Sequence, residues 1–548
     1  MINEVIADQF SKITVLLELE EKSWESRAFS DARDTILGLD QPITTLYEDG
    51  GEPALTDLPD VGSGTASVII DYIENGEMTK LNKLQQRYPE DIIRMTKIHG
   101  VGPTTTRKLL DSLEIHGVDD LEAAAKAGKV QEISGLGPAT QEKIIDGIAS
   151  LSETGKVRLS EADRVATTVA QILESEPYVD RVAITGPQRR RLPVLENAEI
   201  LVSSTEPTSV FNTVSQTKYV AGEQSRDTGR ATFDLVKDNV SLVVHVTAKD
   251  RWGDALHWST GPEEYIDALP VSGDSSHSQE TSLYEDLGLP FVAPELRRDA
   301  ETVQHAESGQ LPSLVSEEDI RGDIHVHSKW SDGHNTVDDV AAAAQRLGYE
   351  YVAITDHSVS SGFAGGLGSV ELQRKNTVVD EVDNTVSITV LRGSEVDILP
   401  DGSLDYEDSV LEQLDVVMAS VHAAFDMSEE RMTNRLVRAA EHPAVTGIGH
   451  MTGRLLLERP GYDVNEEAVF RAAAANNTAI EINSTPVRLD VSAEKARKAS
   501  RLGADIVVNT DSHDTASLTS MSYGVEQARR AGLEADDIFN TKPVEYWL

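Results

Sequence analysis

The chain has 548 residues, more than one hydrophobic core accommodates, so three or four domains are expected. It contains no cysteine, which excludes disulfides and thiolate zinc sites and leaves His, Asp and Glu as the strong metal ligands. With 93 acidic and 49 basic residues the net charge is -44, a composition typical of a halophile's cytosolic protein with a solvated acidic surface.

The same composition bears on whether the protein binds membranes or nucleic acids. The sequence has neither a run of about 18 apolar residues nor a charged-then-apolar leader, so we expect a soluble, cytoplasmic protein without a membrane partner. A strongly acidic protein normally repels DNA. At about 1 M salt, however, the Debye length is only about 3 Å, so this repulsion is largely screened. The net charge therefore does not exclude DNA.

Three short segments in the amino-terminal part repeat one pattern, a hydrophobic-Gly-hydrophobic-Gly turn that opens a helix. Before them, residues 1 to about 50 are predicted to be helical from an apolar period near 3.6. The repeats are LPDVGSGTASVIIDYI (58–73), IHGVGPTTTRKLLDSL (98–113) and ISGLGPATQEKIIDGI (133–148). This is the helix-hairpin-helix pattern, in which glycines let the backbone approach a phosphate and helix N-terminal amides bind it. An ordinary helix connection explains one copy more easily than three.

The glycines of the second and third copies are the predicted DNA-binding positions. They are Gly100, Gly102, Gly135 and Gly137. The first copy has Asp60 where the first glycine is expected, so it matches the pattern less well.

The rest of the chain changes character twice. From about residue 158 to 250 the composition is strand-like, 271–281 is predicted to be a loop, and 299–317 is predicted to be a linker. From about residue 319, roughly seven strands alternate with helices to the C-terminus. This alternation predicts a parallel α/β barrel, whose functional residues lie at the carboxyl ends of the strands.

Nine ligand-type residues lie at or just beyond the ends of these predicted strands. They are His325, His327, Asp332, His357, Glu395, His422, His450, Asp511 and His513. Both imidazoles of the first pair leave one face of a strand, because the two residues are two positions apart. Imidazoles and carboxylates that converge from several strands suit a multinuclear zinc, manganese or iron site. A role in the core or at the surface explains one such histidine, but not nine positions.

Taken together, these residues resemble the family X DNA polymerases of bacteria and archaea that carry a C-terminal PHP (polymerase and histidinol phosphatase) domain. The resemblance covers essentially the whole chain, including YEDLGLPFVAPELR (284–297) and LPSLVSEEDIRGDIHVHSKWSDG (311–333). It implies a multidomain α+β and α/β protein with helix-hairpin-helix domains, a nucleotidyltransferase-like palm and thumb, and a distorted parallel α/β barrel. The implied limits are 1–80 for a lyase-type helical domain, 81–152 for a fingers-type domain, 153–298 for palm and thumb, 299–318 for a linker and 319–548 for the PHP domain.

The resemblance further implies up to three metal ions in the PHP site. The first would be held by His325, His327, Glu395 and Asp511, which form the predicted catalytic set, the second by Glu395, His422 and His450, and the third by Asp332, His357 and His513. A shared carboxylate lets two ions about 3.5 to 4 Å apart act on one phosphate, so phosphate-ester hydrolysis is expected. Manganese and zinc both suit a histidine-rich site. Arg488 is predicted to pair with a phosphate, with a structural salt bridge as the alternative.

The palm departs from the family, in which three carboxylates hold two magnesium ions. Asn197 and Glu199 stand at the D-x-D pair and Ser241 at the third position. One formal negative charge then replaces three, so two magnesium ions and a triphosphate are not expected to assemble there. Val68 stands at the position of the family's lyase lysine and cannot form an imine. Polymerase and lyase activities are therefore predicted to be lost or very weak.

These observations predict a metal-dependent 3′-5′ exonuclease or related phosphoesterase that acts on gapped, nicked or 3′-ended DNA, with a monomer favoured. Three alternatives stay open: a non-catalytic DNA-binding repair factor, an active repair polymerase with unconventional ligands, and a small-molecule phosphatase of the histidinol phosphate kind. The hairpins argue against the last, because a soluble phosphate ester does not require them.

Overall fold

The computed structural model describes residues 2–37, 39, 41–88, 91–96, 98, 101–113, 115–151, 155–235, 240–271 and 276–546. The chain divides into two units, Met1–Glu153 and Thr154–Leu548. The predicted domain limits are finer than this division and stay predictions. Within the described ranges, none of the helices combines the length and apolar character that crossing a bilayer demands.

The first unit is helical throughout its described residues. Its helices are α1 (Ile2–Leu19), α2 (Ser23–Leu37), α3 (Ile43–Thr56), α4 (Ser63–Asn75), α5 (Thr79–Gln85), α6 (Ile92–Thr96), α7 (Pro103–Ser112), α8 (Val118–Lys126) and α9 (Pro138–Leu151). Apolar residues at helical spacing on α1, such as Ile6, Phe10 and Ile13, are fully buried in one core. The rings of Phe10 and Phe29 pack edge to face at 4.9 Å.

Each of the three sequence repeats leads into a helix as predicted. Gly62 is the N-cap of α4, Gly102 is the N-cap of α7, and α9 begins directly after Gly137. These helix N-termini carry backbone amides that have no intrahelical partner and are suited to an anion. Gly100 lies outside the described residues.

The first repeat keeps the turn although its first glycine is replaced. Asp60 has φ +59°, and the corresponding Gly135 of the third repeat has φ +85°. This left-handed region is reached readily by glycine and tolerated by Asp and Asn better than by other residues. The aspartate therefore preserves the local backbone conformation of the repeat.

The second unit begins with a five-stranded sheet region. Its elements are β1 (Val157–Arg158), α10 (Leu159–Glu174), β2 (Arg181–Ile184), α11 (Gly186–Arg189), β3 (Val194–Leu195), β4 (Asn197–Ser203), α12 (Pro207–Ser215), β5 (Val220–Arg226), β6 (Arg230–Leu235), β7 (Ser241–Thr247), α13 (Trp252–Thr260), α14 (Glu263–Asp267), α15 (Glu280–Asp286) and α16 (Ala300–Glu307). The strand order is β2-β4-β7-β6-β5, and only β4 and β7 pair in parallel among these described strands.

Two segments of this region differ from the sequence-based expectation. The strand-like stretch from residue 158 also contains α10, where Ala162, Ala166 and Val169 follow a helical period and are buried. The predicted linker contains α16, whose N-cap Asp299 accepts a hydrogen bond from a backbone amide at 3.0 Å. Of the predicted loop 271–281, residues 272–275 are not described, and α15 begins at Glu280.

The remaining residues form the predicted barrel, in the unbroken described range 276–546. Its elements are β8 (Gly322–Val326), α17 (Val337–Arg346), β9 (Tyr351–Ile354), α18 (Ser369–Asp383), β10 (Thr389–Asp397), α19 (Asp408–Leu411), β11 (Val416–Ser420), α20 (Glu429–Ala440), β12 (Gly447–Ile448), α21 (Glu466–Asn476), β13 (Ala479–Asn483), α22 (Ala493–Arg501), β14 (Ile506–Asn509) and α23 (Met521–Ala531).

The seven strands of the barrel are parallel and lie in sequence order from β8 to β14. A bridge between Val326 and Ser512 brings the ends of the first and last strands together, so the barrel is nearly closed. The expected fold is confirmed. All seven strands therefore present their carboxyl ends on one face of the barrel.

The sheet region and the barrel are tied together inside the second unit. Arg158 Nε donates to the carbonyl of Leu456 at 3.1 Å, and the same guanidinium pairs with Glu458. Arg191 forms an ion pair of 2.6 Å with Glu526 on α23. These contacts attach the sheet region to a loop and a helix of the barrel.

Candidate metal centre

The nine predicted ligand-type residues converge at the carboxyl-terminal face of the barrel. Among the described residues, three groups of donor atoms lie within 4.8 Å of one another, and all three belong to this cluster. The groups are His325, His327, Glu395 and Asp511; His327, Asp332, His357 and His513; and His357, Glu395 and His422. The convergence follows from the topology, because β8 to β14 end on the same face.

Glu395 lies at the centre of the cluster and faces different histidines with its two oxygens. Oε2 of Glu395 lies 3.4 Å from Nε2 of His325 and 3.0 Å from Nδ1 of His357. Oε1 lies 2.9 Å from Nε2 of His450 and 3.2 Å from Nε2 of His422. A carboxylate in this position is able to bridge two cations.

A second carboxylate, Asp332, faces the histidines on the other side of the cluster. Its Oδ2 lies 3.4 Å from Nε2 of both His357 and His513. His327 stands between the two sides, with Nε2 at 3.1 Å from Oδ1 of Asp511 and Nδ1 at 3.8 Å from Oδ1 of Asp332. The rings of His327 and His513 stack at 4.3 Å.

The observed groups differ in two residues from the sets implied by the resemblance. The first set recurs unchanged, the third gains His327, and the second contains His357 instead of His450. His450 still contacts Glu395, so it belongs to the cluster although it is not part of a compact group.

Glu481, which the sequence analysis did not single out, accepts hydrogen bonds from two of the cluster histidines. It lies on β13 and is fully buried. The Nδ1 of His325 donates to its Oε1 at 2.7 Å, and the backbone amide of His450 donates to its Oε2 at 2.7 Å. The imidazole of His325 is thereby fixed with Nε2 toward the cluster, an arrangement that histidine metal ligands usually adopt.

The same arrangement recurs at two other imidazoles. The Nδ1 of His422 lies 2.7 Å from Oδ1 of Asp397, which also accepts a hydrogen bond from Ser361 Oγ at 2.6 Å through Oδ2. The Nδ1 of His513 lies 2.9 Å from the backbone carbonyl of Asp511. Both rings therefore direct Nε2 toward the centre.

The loop that carries Asp332 is held by Asp356. Oδ1 of Asp356 accepts from the amide of Ser328 at 2.9 Å and from Ser331 Oγ at 2.7 Å. Oδ2 accepts from Ser328 Oγ at 2.7 Å. Asp356 thus positions a cluster residue without joining the cluster.

The charges of the cluster shift one another's pKa values. Burial raises the pKa of Glu395, but His422 and His325 together hold it well below its ordinary value. Burial opposes charge on His357 and His422, yet the Glu395 carboxylate and its neighbours raise the pKa of His357 to about 10 and that of His422 to about 9. Burial lowers the pKa of His327 to about 4. The carboxylates are therefore ionised and attract cations.

The donor set fits metal ions. Among the described residues, no hydrogen bond reaches the buried Nε2 of His325, Nδ1 of His327, Nδ1 of His450 or Oε2 of Glu395. Buried polar atoms without partners are costly, and cations within the cluster would satisfy those that face it. Imidazole and carboxylate donors without thiolates suit manganese, zinc and iron.

The backbone is strained at two residues of the cluster, and the residue that precedes one of them is tightly packed. His450 has φ +26° and Asp511 has φ +54°, in the left-handed region that non-glycine residues rarely occupy. A Cβ at Gly449 would lie 2.4 Å from Ser420 Oγ and 3.3 Å from His325 Cε1. Only glycine therefore fits directly before His450.

Three known protein families match separate segments of the chain. The family described as "PHP domain" matches residues 323–485. The "Helix-hairpin-helix domain" family matches residues 1–78, and the "SAM-like Helix-hairpin-helix tandem" family matches residues 92–150. The "DNA polymerase/3'-5' exonuclease PolX" of Bacillus subtilis is 29% identical over 97% of this chain and 96% of its own length.

The chain belongs to the family X DNA polymerases with a C-terminal PHP domain. Shorter relatives align with less than half of the chain. The "Probable phosphatase" of Syntrophotalea carbinolica is 31% identical over 40% of this chain and 90% of its own length. That of Aliivibrio fischeri is 32% identical over 35% of this chain and 78% of its own length. The PHP domain and its donor cluster together support a metal-dependent hydrolase.

Arg488 lies beside Asp511 at the edge of the PHP cluster. Its Nε is 3.7 Å from Oδ2 of Asp511, too long for a hydrogen bond. Its backbone carbonyl accepts from Arg454 Nε at 3.0 Å, which fixes the loop. Among the described residues, the Arg488 guanidinium makes no hydrogen bond.

The palm residues lie side by side on the five-stranded sheet. Asn197 on β4 pairs with Ser241 on β7, and Glu199 follows two residues later. Oε2 of Glu199 lies 3.4 Å from Nε2 of His245. A Cβ at Gly186 would lie 2.6 Å from Cδ of Glu199, so the turn that precedes α11 is packed directly against this carboxylate.

Arg189, at the end of α11, is held by other side chains of the protein. Arg189 forms two hydrogen bonds with Glu280, at 3.1 and 2.6 Å, and a third with Thr260 at 2.8 Å. Arg297, which is fully buried, binds the same Glu280 at 2.5 Å. In the first unit, Val68 lies on α4 and is buried in the helical core.

Proposed function

We propose that this protein is a metal-dependent 3′-5′ exonuclease or related phosphoesterase that acts on DNA through its PHP domain. The asymmetry between two sites carries the proposal. Nine donors converge in the barrel, whereas Glu199 is the only carboxylate among the three palm positions. The relative from Bacillus subtilis is named as a 3'-5' exonuclease as well as a polymerase, which supports DNA as substrate and the direction of digestion.

We assign up to three ions to the cluster, manganese or zinc. The sets are His325, His327, Glu395 and Asp511, which is the catalytic set, Glu395 with His422 and His450, and Asp332 with His357 and His513. When bound, the ions supply a nucleophile at neutral pH and neutralise charge on the phosphate oxygens. The opposed oxygens of Glu395 support its role as the shared ligand.

The protein's own groups orient these ligands and the substrate. Glu481 and Asp397 bind Nδ1 of His325 and His422, so the neutral form of each ring keeps its proton on Nδ1 and has its lone pair on Nε2, toward the cluster. Arg488 pairs with a phosphate at the edge of the site, because its guanidinium matches phosphate geometry and makes no hydrogen bond within the part of the chain that the structure describes.

We place the DNA backbone against the hairpins of the first unit. Gly102, Gly135 and Gly137 belong to turns that expose helix N-terminal amides, and Gly100 is assigned with them from the sequence. Neutral amides bind a phosphate without added side-chain charge. This suits a protein with a net charge of -44, and we propose a monomer that works in the cytoplasm at high salt.

We further propose that the palm and the lyase position are inactive. Asn197, Glu199 and Ser241 do not provide the three carboxylates that two magnesium ions require, and Arg189 is engaged by Glu280. Val68 offers no amine. Template-directed incorporation of dNTPs that is abolished by Glu199→Ala would contradict this part of the proposal.

One gapped DNA substrate with a labelled upstream strand tests the proposal, with Mn²⁺ in molar salt, with and without dNTPs. We expect shortening from the 3′ end in the wild type and loss of shortening in His325→Ala. His334→Ala is the matched control, because this exposed histidine lies near the cluster but outside it. Digestion by His325→Ala at the wild-type rate would refute the assignment, as would DNA binding without turnover at any metal.

A small-molecule phosphatase is the second candidate, favoured by the phosphatases that align with the PHP domain. Hydrolysis of p-nitrophenyl phosphate with a kcat/KM above that for an oligonucleotide would support it. The opposite order would support the nuclease.

A further inference from the structure

Two loops meet at the rim of the metal centre and bring two arginines together. The loop after β12 carries Arg459, and the loop after β13 carries Arg488. The amide of Leu456 donates to the carbonyl of Val487 at 2.7 Å, and Arg454 donates to the carbonyl of Arg488 at 3.0 Å. Both loops are therefore fixed to each other beside the cluster.

Arg459 lies on an aromatic pair from neighbouring loops, and we call Phe425, Arg459 and Tyr462 the arginine-aromatic platform. The Cζ of Arg459 is 4.5 Å from the centroid of the Phe425 ring. The rings of Phe425 and Tyr462 stack at 6.0 Å with an angle of 28°. Phe425 follows His422 by three residues and is half-buried, so the platform is accessible near the cluster.

The backbone is shaped to build this platform. Gly453 has φ +63°, and a Cβ there would lie 2.8 Å from Cε1 of Tyr462 and 3.2 Å from Cε1 of Phe425. The carbonyl of Gly453 accepts from Arg459 Nε at 2.9 Å. The guanidinium plane is thus held in place from one side.

Both arginines keep unused donors. Among the described residues, neither Nη atom of Arg459 and no nitrogen of the Arg488 side chain makes a hydrogen bond. Neighbouring Arg454 and Arg435, in contrast, donate to backbone carbonyls through their Nε and Nη atoms. Burial, and next the charge of Arg488, lower the pKa of Arg459, so the two cations are close enough to repel each other. A bound anion would relieve this repulsion.

Single-stranded DNA offers the groups that this surface lacks. Its bases stack on aromatic rings and guanidinium planes, and its phosphates accept charge-assisted hydrogen bonds from arginine. We propose that the arginine-aromatic platform and Arg488 form a nucleotide subsite that holds the unpaired strand leading to the metal centre. Arg488 meets a phosphate beside Asp511, and the platform stacks the adjoining base.

This inference rests on the proposed nuclease function and identifies which part of the DNA the site binds. The subsite is filled by a base and a phosphate of one strand, so unpaired 3′ ends are the preferred substrate. A phosphodiester without a base contacts the metal centre but gains nothing from the platform.

The first test compares two substrates in the full-length, metal-loaded protein. These are a single-stranded oligonucleotide and an oligonucleotide of the same length in which abasic tetrahydrofuran units replace the nucleosides. In Arg459→Ala and Phe425→Leu, we expect the ratio of kcat/KM for the base-containing oligonucleotide to that for the abasic one to fall about tenfold. Arg459→Lys, which keeps the charge but loses the planar group, is expected to recover part of the ratio.

Arg471→Ala is the matched control for the lost charge, because Arg471 is exposed on α21 and pairs with Glu467. Its ratio is expected to equal that of the wild type. An unchanged ratio in Arg459→Ala would overturn the subsite.

The second test reads binding without turnover. Oligonucleotides carry 5-iododeoxyuridine at each of the last three 3′ positions and phosphorothioate linkages that slow cleavage. We expect photocross-links to the peptides that contain Phe425 or Tyr462, and their loss in Arg459→Ala. Cross-links confined to other barrel peptides would overturn the subsite. A wild type that digests no DNA would refute the nuclease function, whereas digestion with an unchanged ratio would refute only the subsite.

Discussion

Replacing Glu481 by glutamine tests whether the residues behind the cluster control metal binding. In the wild type, Oε1 of Glu481 accepts from Nδ1 of His325 at 2.7 Å and from Asn509 Nδ2 at 3.0 Å. Oε2 accepts from the backbone amide of His450 at 2.7 Å. A glutamine side chain has one acceptor oxygen and one NH₂ group. Its NH₂ group must therefore face one of two donors, Nδ1 of His325 or the backbone N–H of His450.

Two outcomes follow at His325, and both weaken the site. If the amide group faces His325, the imidazole must accept at Nδ1 and carry its proton on Nε2, the atom that faces Glu395. If the amide group faces His450 instead, the backbone that holds His450 loses its acceptor. Loss of such an outer partner typically costs 10- to 100-fold in metal affinity, or about 1.4 to 2.7 kcal/mol.

The assay is a competitive titration of Mn²⁺ and Zn²⁺ against a fluorescent chelator, with the thermal midpoint measured in EDTA. Glu467→Gln is the control, because Glu467 is half exposed on α21 and is not part of the cluster. Wild-type metal affinity in Glu481→Gln, with an unchanged midpoint in EDTA, would refute the reasoning.

Three further predictions concern stability and metal binding. Glu280→Gln leaves buried Arg297 without its carboxylate, so a loss of about 3 to 5 kcal/mol is expected in urea unfolding, with Glu263→Gln unchanged. Because the pKa of His357 is raised to about 10 and that of His422 to about 9, metal must displace their protons. Metal affinity should therefore rise from pH 6 to 9, with proton release measured by calorimetry in two buffers. Mn²⁺ at about 100 times its Kd should add about 2.7 kcal/mol, and EDTA should reverse the gain in midpoint.

The convergence of the ligand-type residues could be predicted because it depends on topology. Each of them follows an apolar segment, and parallel strands of one barrel end on one face. His325 and Asp511 are 186 positions apart in sequence, yet their side chains lie 3.7 Å apart. How the nine divide into groups could not be predicted, because side-chain torsions decide whether His357 or His450 lies closer to His422.

The residues behind the cluster left only a weak signal in the sequence. Glu481 stands in the apolar strand Ala-Ile-Glu-Ile-Asn, and a fully buried glutamate needs a partner. One strand does not reveal that its partner is His325, which is 156 positions away. Phe425 and Arg459 lie in separate loops without a shared motif, so their contact could not be inferred.

Local chemistry explains the errors of the sequence-based fold. The predicted linker contains α16 because Asp299 caps the helix and Val303 is buried, and neither feature is evident from the polar composition of the segment. The first hairpin matches the glycine pattern less well, yet it keeps the turn because Asp60 adopts a left-handed conformation that glycine usually occupies. In both cases one residue, and not the average composition, determines the local backbone.

Arg158 attaches the sheet region to the barrel loop that carries Arg459. Its hydrogen bond to the carbonyl of Leu456 and its ion pair with Glu458 fix the segment of the loop that directly precedes Arg459. A truncated protein consisting of the barrel alone would retain every ligand-type residue and yet lose these contacts. Such a fragment is expected to bind metal as the full-length protein does but to degrade long DNA strands more slowly, because the loop that carries Arg459 is no longer fixed from outside.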